Sequence, residues 1–345
     1  MRLHNILYLG AACGTSQQRA DALRRLGHEV CHIDPHAFLP CKGIAGRVVG
    51  KLIYSIGAQL LESYVRNKLS NLLRRDITFD VAWVDSGALL GATILHLLHS
   101  CSRKVLNYNH DDPFGDRDGC RFSLYRDAVA DYDLLTVVRR QNVEEAMKAG
   151  ARQVLHVFRA ADEVAHAPLN LMEQDQIKWS GDVVFVGTWM PERGPFLARL
   201  MELGVPLTIY GDRWHKAREW MALKKVWAGP NLTGSDYVKA IQCAKISLGL
   251  LSKGNRDLHT TRSAEIPYIG SVLCAERTSE HEALYRENEE AVFWSTPEEC
   301  AEKCFWLLAR PDLRKRIAKA GRERCIANGM LNEVVAKKIL QAVLE

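Results

Sequence analysis

The sequence predicts an α/β protein made of two doubly wound domains facing each other across a cleft. Three observations carry that expectation. An apolar strand, a small-residue loop, a helix and a second strand open the chain between Asn5 and Ile33. A unit of the same kind starts again at Asp182. Between them, Glu163 to Gly181 contains Pro168 and the polar run Glu173 to Lys178, the composition of a linker. Short apolar runs alternating with helical segments are the pattern of parallel sheets covered by helices. The expected division is 1-165 for the first domain, 166-181 for the linker, 182-330 for the second domain and 331-345 for a final helix.

With 345 residues, 47% hydrophobic and 25% charged, the chain is long enough to build both cores. Its formal charge of +5 is mild and dispersed, which gives little support to nucleic acid as a partner. Ten cysteines without a CxxC pair read as reduced thiols of a cytoplasmic protein, with Cys300 and Cys304 packing one helical turn apart. The stretch Met1 to Cys13 is a first strand rather than a lipoprotein signal, because its apolar part, Ile6 to Leu9, is too short. Nor does any run approach the roughly 20 apolar residues of a membrane span.

In the first domain, Asn5 to Gly10 reads as a strand, Gln17 to Leu26 as a helix and Val30 to Ile33 as the next strand. The connecting loop, with Gly14 and Thr15, lacks GxGxxG, so a dinucleotide site has weak support. Apolar residues at Ile44, Val48, Leu52, Ile56, Leu60 and Tyr64 then recur at helical spacing. Over the same helix, Ile44 to Arg75, the bases Arg47, Lys51, Arg66, Lys68, Arg74 and Arg75 face Glu62 alone among acids. Such a helix either packs on a core with a wet basic face or lies on an anionic membrane.

Phe79 to Val84 and Lys104 to Tyr108 read as buried strands. The second runs into His110, Asp111, Asp112 and Pro113, a polar loop that proline keeps from becoming a helix. A histidine beside two carboxylates suits acid/base work, while an Asx-type turn is the alternative. Neither a second histidine nor a cysteine stands at ligand spacing, which discounts a metal there. Asp131-Tyr132-Asp133 spells DxD but begins a strand, Leu134 to Val138, instead of ending one, and is set aside.

The second domain begins with the strand Asp182 to Thr188. Arg193 sits before the helix Pro195 to Leu203 and, with its amides, could meet an anion. The strand Leu207 to Tyr210 ends at Gly211, and a loop with Asn231 precedes the helix Ser235 to Cys243. From Gly249 to Glu276 the chain passes from a strand through Lys253, Asn255, Arg256, Asp257 and His259 into a helix at Thr260, then to the strand Ser271 to Ala275. Thr261 and Arg262 at that helix start suit a phosphate. Glu265 either accepts from ribose hydroxyls or pairs with Arg262 three residues away.

The run RSAEIPYIGSVLCAE, with the later EHEALYRENEEAVFWSTPEECAEKCFWLLARPDLRKRIAKAGRERC, resembles the CgeB-like glycosyltransferases, and more distantly the retaining GT-B group that includes glycogen synthases. The likeness spans nearly the whole chain, strongest from Asp182 to Cys325 and weakest from His36 to Arg75. It implies GT-B architecture, two Rossmann-like domains with the nucleotide held mostly by the second and the helix Asn332 to Leu344 crossing back to the first. It also implies transfer of a sugar from a nucleotide-sugar donor to a glycan, lipid-linked or protein acceptor.

Residue by residue, the resemblance places Glu265 on the nucleotide ribose and puts Asp257, shorter than the usual glutamate, beside the donor sugar. His110 matches a histidine that reaches that sugar, and the following Asp111-Asp112-Pro113 resembles the CgeB-like pattern. Arg193-Gly194 matches a diphosphate grip. Gly14 and Thr15 would approach donor phosphates or acceptor; Thr188, Gly211 and Asn231 join the donor-binding set. Arg193, Arg262 and two helix N-termini would stabilise the departing diphosphate, so neither a catalytic metal nor a cofactor is expected. Retention follows from the spacing of Asp257 and Glu265, with inversion by His110, Asp111 or Asp112 as base the rival. A nucleotide-sugar epimerase and a noncatalytic sugar-nucleotide-binding subunit are the alternatives from other classes. The basic helix borders the region that meets acceptors, which would place the protein at the inner face of a membrane.

Overall fold

The structure, a computed structural model, describes residues 2–40, 43–73 and 77–345. Arg74 and Arg75 of the basic pattern, and Met1, lie outside the described residues. Among the described residues twelve strands form two six-stranded sheets, parallel throughout. The chain divides into two compact units. One comprises Met1–Phe158, Gly254–Arg256 and Asn332–Glu345; the other comprises Arg159–Lys253 and Asp257–Leu331.

The first sheet contains β1 (Asn5–Leu9), β2 (Glu29–Ile33), β3 (Phe79–Asp85), β4 (Ser102–Asn109), β5 (Leu134–Val137) and β6 (Val154–His156), in the order β2-β1-β3-β4-β5-β6. Alternate side chains of β1 and β3 go to opposite faces, as the two-residue period of a strand requires. Ile6, Tyr8, Val81 and Trp83 pack with Ala20 and Leu23 of α1 (Gly14–Arg25) and with Ala336, Ile339, Leu340 and Val343 of the terminal helix Asn332–Leu344. Leu7, Leu9, Ala82 and Val84 pack on the other face with Ile94, Leu95 and Leu98 of the helix Ala92–Cys101.

The single helix expected from Ile44 onward is two. Helix α2 (Gly43–Ile56) and helix α3 (Gln59–Leu72) meet at a bend of 118°. Gly57 at the break has φ +83°, a left-handed conformation in which a right-handed helix cannot continue. Helical periodicity ran through the break because apolar residues sit at four-residue spacing on both sides of it. Among the described residues no single helix is long and apolar enough to cross a membrane.

The second sheet contains β7 (Gly181–Val186), β8 (Leu207–Tyr210), β9 (Trp227–Gly229), β10 (Ala244–Gly249), β11 (Leu273–Glu276) and β12 (Val292–Trp294), ordered β12-β11-β10-β7-β8-β9. One apolar cluster, including Val183, Phe185, Leu197, Ile209, Ile246 and Val292, forms its core. The stretch read as a linker carries a helix, Glu173–Trp179, tied to the second unit by Lys239 and Asp175 at 2.8 Å. The helix expected at Thr260 starts at Arg262.

Each sheet reverses its strand order once. The reversal lies between β1 and β3 in the first sheet and between β7 and β10 in the second. Adjacent crossovers leave in opposite directions there, and the carboxyl ends of those strands open a crevice suited to ligands.

Candidate active site

At the reversal of the first sheet a buried ion pair links three elements. Arg19 of α1 donates to both oxygens of Asp85, the last residue of β3, at 2.6 and 3.0 Å. The Tyr8 hydroxyl of β1 donates to the same carboxylate at 2.6 Å. Burial pushes the Asp85 carboxyl up, but the Arg19 charge and its hydrogen bonds outweigh this, so Asp85 titrates below the ordinary carboxylate range. His110 follows β4, and its Nδ1 lies 3.5 Å from an Arg19 nitrogen and 3.7 Å from Asp85 Oδ1.

The two carboxylates after His110 differ in what holds them. Asp111 lies 3.2 Å from Arg121, and its Oδ2 is 3.8 Å from His110 Nε2. Asp112 is buried, with Arg256 donating to its two oxygens at 2.6 Å each and Asn142 donating at 2.8 Å. Burial raises the Asp112 pKa, and the bonds from Arg256 and Asn142 reverse that, leaving it below the usual value. The turn itself is made by Asn109, whose Oδ1 accepts from the Asp111 amide at 2.9 Å. Arg139, after β5, holds the loop by donating to the carbonyls of Asp111 at 2.6 Å and Asn255 at 2.7 Å. Gly14, with φ +57°, and Thr15 form the first turn of α1.

At the reversal of the second sheet, two guanidinium groups meet the end of β7. Arg193 donates to the Thr188 carbonyl at 2.8 Å and, across to the end of β10, to the carbonyls of Leu250 at 3.0 Å and Leu251 at 3.2 Å. Arg262 donates to the Val186 carbonyl at 3.2 Å and stacks over the Tyr237 ring at 4.8 Å. Glu265 accepts from Arg262 at 2.7 Å and from the Tyr237 hydroxyl at 2.5 Å, and only 2% of it is exposed. Thr261 Oγ1 accepts from Arg262 at 3.3 Å. A cavity of about 300 Å³ beside this cluster is lined by Arg193, Phe196, Leu250, Lys253, Glu276 and Trp294, among others.

Asp257 is buried and lies 3.3 Å from Arg159. Arg159 also donates to the His259 carbonyl at 2.7 Å, and its own amide donates to His259 Nε2 at 3.0 Å. Because Nε2 accepts, Nδ1 carries the proton toward Glu280 at 2.6 Å. Burial depresses His259 to about 4. Gly211 has φ +147°, and a Cβ there would lie 2.0 Å from the Gly187 carbonyl oxygen, so the chain passes Gly187 too closely for any side chain. The exposed Asn231 donates its amide to Asp212 at 3.1 Å.

Arg19, Asp85, Arg139 and Arg159 were not singled out in the sequence, and Arg256 was named in its loop without a role. Ser16, Arg19, Ala20 and Leu23 follow the i, i+3, i+4, i+7 pattern of a buried helix face, which marks Arg19 as facing inward. Asp85, Arg139 and Arg159 are charged residues at or just past the end of apolar strands, where a ligand edge begins. Arg256, by contrast, reaches Asp112 over 144 positions, which no local pattern shows.

Away from these clusters, Cys274, Cys300 and Cys304 place their sulfurs within 4.8 Å of one another, all buried. Among the described residues this is the one group of three or more such side chains with the geometry to hold a metal ion.

Two parallel six-stranded sheets of these orders, shared with the solved structures below, make this the GT-B fold. Residues 193–341 match the family model described as glycosyl transferase-like. The chain is similar in structure to sucrose-phosphate synthase from Thermosynechococcus elongatus, with a TM-score of 0.70, 13% identity and 98% of each chain covered. It is similar to Anabaena HepE in complex with UDP-glucose, with a TM-score of 0.66, 12% identity and 99% of each chain covered. Trehalose 6-phosphate synthase from Burkholderia multivorans gives a TM-score of 0.63 at 12% identity over 99% of this chain and 98% of that one. A search of curated proteins gives no match.

Proposed function

We propose that the protein is a glycosyltransferase that takes a sugar from a nucleoside diphosphate donor, retains the anomeric configuration and needs no catalytic metal. The observation that carries this reading is Arg193, whose guanidinium spans the carboxyl ends of β7 and β10 at the reversal of the second sheet. A guanidinium held in orientation by carbonyl oxygens is positioned in advance to stabilise the negative charge that develops on a departing diphosphate. Arg262, held at the end of β7 by the Val186 carbonyl and ion-paired with Glu265, adds further N–H donors there.

Glu265 has so little exposed surface that its part is to position Arg262 and Tyr237 rather than to meet the ribose. His110 would hydrogen-bond the donor sugar, with Asp85 and Arg19 setting its orientation. Asp111, partly exposed, is then a better candidate than Asp112 for any acid/base step, since Asp112 is committed to Arg256 and Asn142. The acceptor is a glycan, a lipid-linked sugar or a protein.

Calorimetric titration with UDP, GDP, ADP, CDP and TDP in EDTA tests the reading. UDP comes first because HepE has been crystallised with UDP-glucose. One of the five should bind, and binding by none would overturn the proposal. NMR of the product anomer then decides retention, with the inverted anomer the contrary result.

A further inference from the structure

Helix α2 is unusual for a helix of a globular unit: none of its fourteen residues is buried. One side leans on the unit through Gly46, Val49, Gly50 and Ile53, which are half-buried, and Ile53 packs beside the small cluster of Ala58, Leu89 and Leu124. The other side carries Ile44, Val48, Leu52 and Ile56, exposed by 74, 50, 43 and 52%. Four-residue spacing stacks them into one ridge along the helix. Arg47 and Lys51, one turn apart and exposed, run along its edge.

Helix α3 continues the theme. Leu60, Tyr64 and Leu72 are exposed, as are Arg66 and Lys68, while Val65 and Leu69 are buried. The single acid of the two helices, Glu62, is engaged elsewhere: its Oε1 accepts from the Thr93 amide at 3.2 Å and from the Thr93 hydroxyl at 2.7 Å. The outward surface therefore combines uncovered aliphatic side chains with basic charge.

We infer that α2 seats the protein on an anionic lipid bilayer, its aliphatic ridge entering the headgroup region and Arg47 and Lys51 meeting lipid phosphates. Exposed aliphatic ridges of this length mark an interaction surface. Charge decides the occupant. A second copy would set Arg47 and Lys51 against the same bases on a chain of net charge +5, whereas a lipid surface offers acyl chains to the ridge and negative charge to its edge. A dissolved polyanion would match the bases and leave the ridge in water. The 118° break before α3 rules out one straight span through both helices, and the half-buried side of α2 against its own unit suits a helix lying in the interface plane.

The test is sedimentation with phosphatidylcholine vesicles made with and without phosphatidylglycerol, at low and high salt, using the full chain. Wild type should sediment with the anionic vesicles alone and release as salt screens the contact. Replacing Arg47 and Lys51 by Gln should weaken partitioning by roughly 25-fold, about fivefold for each charge. Replacing Val48, Leu52 and Ile56 by Ser should weaken it at least as much. Far-UV circular dichroism and thermal melting establish that both variants fold.

Equal retention of the serine variant and wild type would overturn the inference, as would binding to neutral vesicles or to none. A dimer in sedimentation equilibrium that the serine variant dissolves would assign the ridge to a second copy and overturn it as well. No sugar donor enters this assay, so its failure would leave the proposed transferase activity untouched, and calorimetric failure would leave this inference standing.

Discussion

The two sheets place charged residues at equivalent points, the carboxyl ends of strands where the order reverses, yet they anchor them differently. In the first unit, carboxylates are matched by arginines: Asp85 by Arg19, and Asp112 by Arg256. In the second, Arg193 is anchored on the main-chain carbonyls of Thr188, Leu250 and Leu251, while Arg262 is divided between the Val186 carbonyl and the Glu265 carboxylate, and Asp257 is matched by Arg159. An ion pair cancels formal charge and braces the loop around it. Carbonyl anchoring fixes the orientation of a guanidinium, as a binder of diphosphate needs. The first unit's charges thus mainly hold structure, as Asp257 with Arg159 does in the second, where Arg193 is the group oriented for an anion.

The largest test removes a brace. Asp85→Asn leaves the Arg19 guanidinium buried beside a neutral amide, and unfolding in urea should show a loss of about 3–5 kcal/mol. Nucleoside diphosphate affinity, measured below the transition, should not change; a stable variant with weakened affinity would break the comparison.

Next comes a pH effect in the second unit. His259 titrates at about 4 when folded and about 6.5 when unfolded. On acidification the unfolded chain therefore binds the proton first. Stability from this group is full above about pH 6.5 and falls by up to about 3 kcal/mol as pH approaches 4. His259→Gln should flatten that part of the stability curve; an unchanged slope would show that the proton is taken up elsewhere.

Smallest is the effect of exchanging one cation for another. Arg193→Lys keeps the charge but loses the planar fork that reaches three carbonyls. Diphosphate affinity should fall by roughly ten- to a hundredfold, with little change in melting temperature. If affinity holds and stability collapses, Arg193 belongs with the braces.

Strands and their order of appearance could be read from the sequence because each sheet is parallel and covered by helices, so its strands are short uninterrupted apolar runs such as Val183 to Val186. The α2 and α3 break was hidden, since Gly57 is one residue in a continuous apolar pattern. Within the candidate site, Arg262 and Glu265 could be paired from their i, i+3 spacing. The partners of Asp112 could not: Asn142 and Arg256 lie 30 and 144 positions away. Tertiary folding alone brings them together.

The division of the chain also bears on the order in which it can fold during synthesis. The second unit is contiguous from Arg159 to Leu331 except for three residues, so its core needs no late segment. The first unit starts earlier and finishes later. Its Ile6, Tyr8 and Trp83 face stays uncovered until Ala336, Ile339, Leu340 and Val343 arrive, and Asp112 waits on Arg256. Contacts of such sequence separation form slowly. Of the two units, the one whose strands are made earlier therefore stays exposed longer, and it is the one more in need of chaperone protection while translation proceeds.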